Sequence, residues 1–397
     1  MIDVKVRVMH ILPHVAAGGA TLAAMELADR LDSARYDVSM AVGPESGRED
    51  SVLGELRARG LDVTVVPSMR RSPDVRRDAR AIVELGRVIH RRRPHVIHTH
   101  GSKSKLLAPM AAELSRVPVR IAHVWGWEWM PAEGVAQRWA CRWASRLSAH
   151  GYDALIACSE AMRQQGLARG VGLPGQYEVT LPSVDLGRFN RRGRERMRAE
   201  VRDEFGLPSD STVVVSVMRL ARQKAPDVLL NAAALLARKL PDLRWLLVGG
   251  GPLDAEVRKM IDDLGLQDRV ILAGPRRDVP RLLKACDIFA LSSRWEPFGI
   301  VYLEAAAVGL PLVGTRVDGA VEAVVDGETG LLVEPGRPDE LAAGIAQIAG
   351  DPKLARRLGE AGMGHAQQFG HDRFVRPIEA LYERLLAEKL NGRCPVR

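Results

Sequence analysis

Short apolar runs alternate with amphipathic segments along the chain, and this alternation predicts repeated strand–helix units. In the first half, runs typical of strands cover residues 4–11, 38–42, 63–66, 96–99 and 120–124. Residues 21–31 have a helical pattern, because Leu22, Met25, Ala28 and Leu31 recur on one face. Strands that alternate with helices are typical of a parallel sheet that is covered on both faces.

A second series of the same kind begins at residue 212. Its predicted strands cover residues 212–217, 244–248, 269–273, 288–291 and 312–314, and its predicted helices cover 227–239, 253–264 and 279–285. The polar, arginine-rich residues 186–202 lie between the two series and are typical of an interdomain connection or its flank. We therefore predict an α/β protein of two Rossmann-like domains, residues 1–183 and 184–371, which face each other across a crevice. Residues 372–397 include a final helix that we expect to pack back on the first domain.

The length and composition agree with a protein of two soluble domains. A chain of 397 residues exceeds one ordinary hydrophobic core, and 46% apolar with 27% charged residues is typical of globular proteins. The four cysteines have no paired spacing, so we expect a reducing cytoplasm and neither a zinc site nor a disulfide framework. The sequence has no 18-residue apolar run and no signal-peptide pattern, so we expect no membrane span.

The net charge of +8 has a local origin, because nine arginines lie between residues 70 and 93. The positive electrostatic field of these arginines favours anionic partners, which include membrane headgroups, phosphorylated substrates and nucleic acid. An arginine-rich helix that is simply solvated explains the same pattern. No nucleic-acid partner is expected, since neither a reading motif nor interleaved aromatic residues accompany the arginines.

The most informative segment contains two carboxylates, Glu296 and Glu304, across a predicted strand-to-helix turn. In open α/β sheets this is the place where ligands bind. The first backbone N–H groups of the helix lack helical partners and suit an anionic or hydroxyl-rich ligand; they belong to Phe298, Gly299, Ile300 and Val301. Helical side chains lean toward the amino terminus, so Glu304 is expected to reach back toward the same ligand.

Glycines follow two of the predicted strands. Gly18 and Gly19 precede the first helix, where they either let the backbone approach a phosphate or form a common turn. The run of three glycines at residues 249–251 does not complete the dinucleotide-binding fingerprint, because Asp254 stands in place of its third glycine. A nicotinamide or flavin enzyme is therefore disfavoured.

Two cations, Arg219 and Lys224, follow the first strand of the second series. We expect them across the crevice from the glutamates, where they would neutralise a diphosphate leaving group. The chain has no Asp-x-Asp motif, which argues against a metal-held nucleotide. Farther along, Val279 offers backbone groups to a base edge and Arg276 offers a stacking surface.

These segments together resemble the retaining glycosyltransferases of family 4, which have the GT-B fold of two Rossmann-like domains. The resemblance covers residues 212–348 without large gaps. Its matching residues are Arg219, Lys224, residues 247–252, Gly274, Asp278, Val279, Pro280, Glu296, Pro297, Phe298, Gly299, Glu304, Ala305 and residues 326–333.

The resemblance implies a nucleoside-diphosphate sugar as co-substrate, with no cofactor and no metal. Its base would lie near Val279, and Glu304 would hold its ribose. Its diphosphate would contact Arg219, Lys224 and the Gly18–Gly19 backbone. Glu296, together with the amides of residues 298–301, would face the sugar, orient it and stabilise positive charge near the anomeric carbon, while the leaving phosphate helps to deprotonate the acceptor hydroxyl.

The first half resembles the family more loosely, through Gly18, Gly19 and residues 98–103. The residues expected on the acceptor side are His100, Gly101, Lys103, Trp125 and Trp127. Many relatives have a histidine where this chain has Trp125, and His123 lies two residues earlier. Residues two apart on a strand point the same way, so His123 either takes over a catalytic role or is a satisfied core histidine.

Five of the seven tryptophans lie between residues 125 and 143, and Arg138, Arg142 and Arg146 form a stripe beside Trp139, Trp143 and Leu147. A basic helix that carries tryptophan suits a membrane interface or a lipid-linked acceptor. Ordinary packing of the first domain would explain the same pattern. A third interpretation is a platform for a sugar ring, made of Trp125 and Trp127.

The sequence therefore predicts a cytoplasmic, metal-independent retaining glycosyltransferase, with a contact at the inner face of the membrane if the membrane interpretation holds. It would move a hexose or N-acetylhexosamine to an acceptor hydroxyl of a lipid-linked saccharide or a small metabolite. The alternatives are a sugar epimerase or phosphorylase of the same architecture and a nucleotide-sugar-binding protein without activity. A phosphorylase would need a lysine-bound pyridoxal phosphate site, for which the sequence gives no support.

Overall fold

The computed structural model describes residues 5–13, 18–44, 52–70, 72, 74–132 and 134–390. The chain divides into two compact units. Unit 1 consists of Met1–Pro182 and His371–Arg397, and unit 2 consists of Ser183–Gly370. Within the described residues, no helix combines the length and the apolar composition that crossing a membrane requires.

Unit 1 contains a parallel sheet of seven strands within the described residues, in the order β3-β2-β1-β4-β5-β6-β7. Its strands are β1 (Val6–Leu12), β2 (Tyr36–Val42), β3 (Asp62–Val65), β4 (Val96–His100), β5 (Val119–Val124), β6 (Ala154–Ala157) and β7 (Tyr177–Val179). Its first six helices are α1 (Gly19–Arg30), α2 (Val52–Ala58), α3 (Val75–Arg92), α4 (Ser102–Leu114), α5 (Val135–Ala149) and α6 (Glu160–Ala168). The strand order reverses between β1 and β4, which makes this pair the topological switch point.

Unit 2 contains a parallel sheet of six strands in the order β10-β9-β8-β11-β12-β13, with its switch point between β8 and β11. Its strands are β8 (Thr212–Val217), β9 (Leu243–Val248), β10 (Val270–Gly274), β11 (Ile288–Ala290), β12 (Leu312–Thr315) and β13 (Gly330–Val333). Its helices are α7 (Arg194–Glu204), α8 (Pro226–Ala237), α9 (Asp254–Asp263), α10 (Val279–Ala285), α11 (Ile300–Ala307), α12 (Ala320–Ala323), α13 (Pro338–Gly350) and α14 (Pro352–Ala366). The last helix of the chain, α15 (His371–Leu390), belongs to unit 1.

Helix α15 covers one face of the unit 1 sheet. Its buried residues Phe374, Ile378 and Tyr382 pack in one cluster with Val8 of β1 and Val96 of β4. A second cluster joins β1 and β4 to α3 and α4, which lie on the opposite face. Burying apolar side chains on both faces is what a parallel sheet requires, because its strands are apolar on both sides.

The predicted α/β class with two Rossmann-like sheets is confirmed. The sequence pattern missed the short strands β6, β7 and β13 and the whole of α7. Helix α7 lies in the polar segment that we interpreted as a connection. Ion pairs help to hold it, since Arg198 and Arg202 both bind Asp287, at 2.6 and 2.9 Å. Val201 is its one fully buried apolar residue, so the helix shows little apolar periodicity.

Candidate functional site

The segment from Glu296 to Glu304 lies at the switch point of unit 2. Strand β11 ends at Ala290, and a loop leads through Glu296 to helix α11. Gly299 precedes the helix with φ of 91°, and a Cβ there would come within 2.7 Å of the Tyr302 ring. Both the left-handed backbone and the close ring require glycine at this position. The turn therefore brings Glu296 beside the first amides of α11.

Glu296 is almost fully buried and is held by three neighbours. Its carboxylate accepts hydrogen bonds from the Lys224 ammonium and, at 3.2 Å, from the Ser293 hydroxyl. Its backbone N–H donates to Asp318 Oδ2 at 3.0 Å. The expectation that Lys224 lies across a crevice from the glutamates is wrong, because both residues belong to unit 2 and form an ion pair. The carboxyl ends of the adjacent strands β8 and β11 lie at the same edge of the sheet. Lys224 follows β8 and Glu296 follows β11, so the two side chains come together there.

Glu304 lies one turn into α11 and is only partly exposed. Burial raises the pKa of its carboxyl to about 7, although the positive charge of Arg188 opposes the rise. A carboxyl that titrates near neutrality can accept hydrogen bonds when ionised and donate one when protonated. Arg188, Ser293 and Asp318 were not predicted as site residues, because none of them belongs to a recognisable motif.

Three further predicted donor residues, Arg219, Val279 and Arg276, also lie in unit 2. Arg219 is exposed just after β8, and Val279 begins α10. Arg276 donates two hydrogen bonds to Asp278, at 2.8 and 2.7 Å, and also pairs with Glu204 at 2.9 Å. These contacts fix the Arg276 guanidinium and hold the pKa of the Asp278 carboxyl at about 2. That Arg276 stacks on a base stays a prediction.

The two predicted glycine loops, at residues 249–251 and at Gly18–Gly19, differ in whether the surrounding structure requires glycine. In unit 2, a Cβ on Gly249 would lie 1.9 Å from the Met218 carbonyl oxygen, so close backbone packing excludes any side chain there. In unit 1, Gly18 has extended backbone, and a Cβ there would meet no atom of the described residues within 4 Å. The described residues therefore do not require glycine at position 18. The four residues before Gly18 lie outside the described residues.

On the acceptor side, the structure places four histidines in one buried cluster on β1, β4 and β5. The strand register sets His10 opposite His98 and His100 opposite His123. All four side chains are buried, and burial lowers the pKa of each ring, that of His10 to about 3. The imidazoles are therefore neutral at physiological pH.

A chain of hydrogen bonds runs through this cluster from Trp125 to His10. The Trp125 indole N–H, which can only donate, lies 3.2 Å from His100 Nδ1. The neutral His100 ring must then carry its hydrogen on Nε2, which lies 3.0 Å from His10 Nδ1. The hydrogen of His10 is consequently on Nε2, which has no partner among the described residues.

The hydrogen bonds from Trp125 to His10 bear on whether these histidines bind a metal ion. Nitrogen atoms of His10, His98 and His100 lie within 4.8 Å of one another, close enough to suggest a metal site. With Trp125 donating to His100, however, His100 Nε2 carries hydrogen and presents no lone pair to a metal ion. The arrangement favours a hydrogen-bonded cluster over a metal centre, and a metal-independent reaction stays a prediction.

His123 points to the same side as Trp125, as their spacing predicts. The two rings stack at 3.8 Å with an angle of 3° between their planes. Neither nitrogen of His123 has a hydrogen-bond partner within the described part of the chain. His123 is therefore a core histidine, but not the satisfied one that we considered, and its catalytic role stays a prediction.

Two of the other acceptor-side predictions need correction. Trp127 is buried and donates to the Met162 carbonyl oxygen at 2.8 Å, so its proposed role in an exposed sugar platform is wrong. The His100 ring is likewise buried rather than presented to an acceptor. Lys103 binds Asp78 at 2.6 Å, and its place on the acceptor side stays a prediction. Gly101 lies at the start of α4 with φ of 89°, and Trp125 is partly exposed.

Two family profiles match the chain. "Glycosyl transferase 4-like domain" matches residues 18–182, and "Glycosyl transferases group 1" matches residues 197–365. The first match lies within unit 1 and the second within unit 2. The similarity therefore extends over most of both units, including the loosely matching first half.

Curated relatives share about a third of their aligned residues with the chain. A "GDP-mannose-dependent alpha-(1-6)-phosphatidylinositol monomannoside mannosyltransferase" of Mycolicibacterium smegmatis is 32% identical over 65% of this chain and 67% of its own length. A "D-inositol 3-phosphate glycosyltransferase" of Actinosynnema mirum is 36% identical over 58% of this chain and 57% of its own length. The chain thus matches between about half and two thirds of the length of these relatives.

Solved structures of glycosyltransferases have the same fold. Anabaena HepE, determined in complex with UDP and glucose, has a TM-score of 0.82 at 24% identity and covers 94% of this chain and 99% of its own. Sucrose-phosphate synthase from Thermosynechococcus elongatus has a TM-score of 0.80 at 24% identity, with 96% and 100% covered. The GT-B fold class is thereby confirmed.

Proposed function

We propose that this chain, which belongs to the family 4-like glycosyltransferases, transfers a hexose or N-acetylhexosamine from a nucleoside-diphosphate sugar to an acceptor hydroxyl with retention of configuration. Family membership makes it a glycosyltransferase. The observation that carries the finer assignment is the buried Lys224–Glu296 pair beside the first amides of α11. It fixes a carboxylate at the edge of the sheet where α/β proteins bind ligands.

The donor site follows from residues of unit 2. Arg219 and the Lys224 ammonium supply positive charge for the diphosphate, and the α11 amino terminus supplies N–H groups for sugar hydroxyls. Glu304, with its pKa of about 7, accepts hydrogen bonds from the ribose hydroxyls. The structure of HepE with UDP and glucose supports a nucleotide-sugar donor of this kind. That the Gly18–Gly19 backbone also contacts the diphosphate stays a prediction from the sequence.

The catalytic contribution of Glu296 is electrostatic. Lys224 and Ser293 hold its carboxylate in one orientation, so little reorganisation is needed when positive charge develops at the anomeric carbon. Lys224 also stabilises the negative charge that accumulates on the leaving diphosphate. The leaving phosphate oxygen takes the proton of the acceptor hydroxyl on the same face of the sugar. This reaction needs no cofactor and no metal ion.

The acceptor is a lipid-linked saccharide or a small metabolite, and we place the reaction in the cytoplasm. The M. smegmatis relative is named for a phosphatidylinositol-based acceptor, whereas the A. mirum relative is named for a small inositol phosphate. Both acceptor classes therefore occur among relatives of similar identity. A lipid-linked acceptor would be met at the inner face of the membrane.

The test incubates the full chain with a panel of nucleotide sugars and follows nucleoside diphosphate release. We expect one donor to be hydrolysed slowly without acceptor, and Glu296→Gln to lower that rate by about a hundredfold or more. The matched control is Glu256→Gln, which alters an exposed carboxylate on α9 of the same unit. Donor binding without turnover on any donor or acceptor would instead identify a nucleotide-sugar-binding protein. Nuclear magnetic resonance of the product's anomeric carbon separates retention from inversion.

A further inference from the structure

Two neighbouring helices of unit 1 expose large apolar side chains at every fourth position. Helix α4 packs beside α5, and Lys105 of α4 is joined to Ser145 of α5 through Glu128, at 2.6 and 2.9 Å. We call the outward surface of these helices the α4–α5 face. Its apolar residues and their exposed fractions are Leu106 (41%), Met110 (57%) and Leu114 (80%) on α4, and Val135 (84%), Trp139 (62%), Trp143 (51%) and Leu147 (73%) on α5.

Ordinary packing does not explain this face. The buried positions of α5 are the small residues Ser145 and Ala149, while its tryptophans point outward. In a helix that only covers a sheet, the large apolar residues lie inward. Residues four apart are neighbours on a helix, so each row forms a continuous apolar stripe. An exposed apolar area of this kind marks an interaction surface, and the packing interpretation of Trp139 and Trp143 is wrong.

The charges around the face are predominantly positive. Helix α5 carries Arg138, Arg142 and Arg146 and no acidic residue. The Arg146 guanidinium lies 5.4 Å from the centre of the Trp143 ring, so apolar and cationic groups occur together. The single acid of α4, Glu113, pairs with Arg120 at 2.6 Å. On its other side α4 packs against α3, which exposes Arg80, Arg87 and Arg91.

We propose that the α4–α5 face binds the interfacial region of an anionic phospholipid bilayer. Tryptophan, leucine and methionine side chains would enter the boundary between headgroups and acyl chains, while the arginines contact lipid phosphates. A second copy of this chain is a poorer occupant, because the two faces would bring arginines of the same charge together. The acceptor of the transfer reaction is then membrane-borne. The inference about the acceptor rests on the proposed function, whereas the docking on the bilayer does not.

Vesicle flotation tests this docking with the full chain. The vesicles contain phosphatidylcholine alone or equal parts of phosphatidylcholine and phosphatidylglycerol, at low and at high salt. The α5 variant is Trp139→Gln/Trp143→Gln/Leu147→Gln, and the α4 variant is Leu106→Gln/Met110→Gln/Leu114→Gln. The matched control is Leu235→Gln, an exposed leucine on α8 of unit 2. Each variant is first checked by circular dichroism and thermal melting against the native chain.

We expect the native chain to float with the anionic vesicles at low salt and less at high salt. Each face variant should lower the bound fraction roughly tenfold or more, and the control should leave it unchanged. Absence of flotation, or flotation that neither face variant reduces, overturns the proposal. A dimer in solution that the α5 variant dissociates would show that a second copy occupies the face.

Donor hydrolysis in solution distinguishes a failure of this proposal from a failure of the proposed function. The α5 variant should hydrolyse the donor at the native rate, since none of its altered residues belongs to the donor site. If no donor is turned over while flotation holds, the transfer reaction is wrong and the docking stands. If hydrolysis is normal and flotation is absent, the docking fails and a small soluble acceptor is favoured.

Discussion

The Lys224 ammonium contacts the Glu296 carboxylate at the edge of the unit 2 sheet. Their side chains are only 15% and 6% exposed, so each charge depends on the other for compensation. In the proposed function, the pair links the cation assigned to the diphosphate with the carboxylate assigned to the sugar. The proposal therefore couples donor binding and orientation of the sugar through one contact.

Removing one partner should destabilise unit 2 more than removing both. Lys224→Met leaves Glu296 buried without its cation, and we expect the free energy of unfolding to fall by about 2 kcal/mol or more. In Lys224→Met/Glu296→Leu much of this loss should be recovered. Urea denaturation of the single and double variants measures the coupling. Losses that simply add would show that the two charges are independent.

Glu304 should give donor binding a pH dependence. Its pKa of about 7 is that of the free protein, and ribose hydroxyls donate best to the ionised carboxylate. Affinity for UDP or GDP should therefore rise as the pH increases through about 7, and Glu304→Gln should flatten this rise. Calorimetric titration on both sides of neutrality measures it. Because the nucleotide phosphate also titrates, only the difference between the two proteins counts, and identical profiles would refute the ribose assignment.

The buried histidines should make unit 1 sensitive to acid. Their pKa values are lowered by burial, so the folded rings stay neutral while unfolded histidines protonate below about pH 6.5. The unfolded chain then binds more protons, and stability falls as the pH drops below that value. We expect His123→Phe to reduce this fall by up to about 1.4 kcal/mol per pH unit. Urea denaturation over a pH series measures the slopes.

The same variant tests whether His123 takes part in the reaction. Phenylalanine keeps a ring stacked on Trp125, and it removes two nitrogens that have no partner within the described residues. Stability at neutral pH should change little, because no hydrogen bond of His123 is lost. Full turnover by His123→Phe would exclude a catalytic role. A large loss of kcat with an unchanged melting temperature would support one.

Trp125→Phe should release the tautomer of His100. Without the indole N–H, nothing holds the hydrogen of His100 on Nε2, and we expect a cost of about 1 kcal/mol in unfolding free energy. Nitrogen-15 resonance of the imidazoles reports the tautomer directly. As an acceptor-side residue, Trp125 should affect transfer more than donor hydrolysis. Unchanged His100 shifts would contradict the hydrogen-bonded chain.

Chelation separates a metal-free reaction from a metal-dependent one. Turnover should survive exhaustive treatment with EDTA and should not respond to added magnesium, because Arg219 and Lys224 supply the positive charge for the diphosphate. Restoration of a lost rate by one divalent ion would refute this mechanism. Thermal melting before and after chelation controls for any effect on folding.

Much of the fold was predictable because buried strands and helices have apolar residues at regular spacings along the sequence. Strand β8 and helix α10 occur where the apolar runs predicted them, since parallel strands are buried on both faces. Helix α7 was not predictable, because its Arg198 and Arg202 are held by a carboxylate that lies more than eighty residues away. Strand β7 has only three residues, and the glutamate between its two apolar residues leaves no apolar run to detect.

The sequence by itself determined the family resemblance, the two strand–helix series and the choice of residues predicted for the donor side, because these depend on local order along the chain. Only the tertiary structure decided which of these residues meet. Side-chain contact depends on which strands are neighbours. Because β8 and β11 are adjacent in the sheet, Lys224 forms an ion pair with Glu296 instead of lying across a crevice from it. The same packing buries Trp127 and His100 and leaves Trp139 and Trp143 exposed, although all three tryptophans belong to one segment of the sequence.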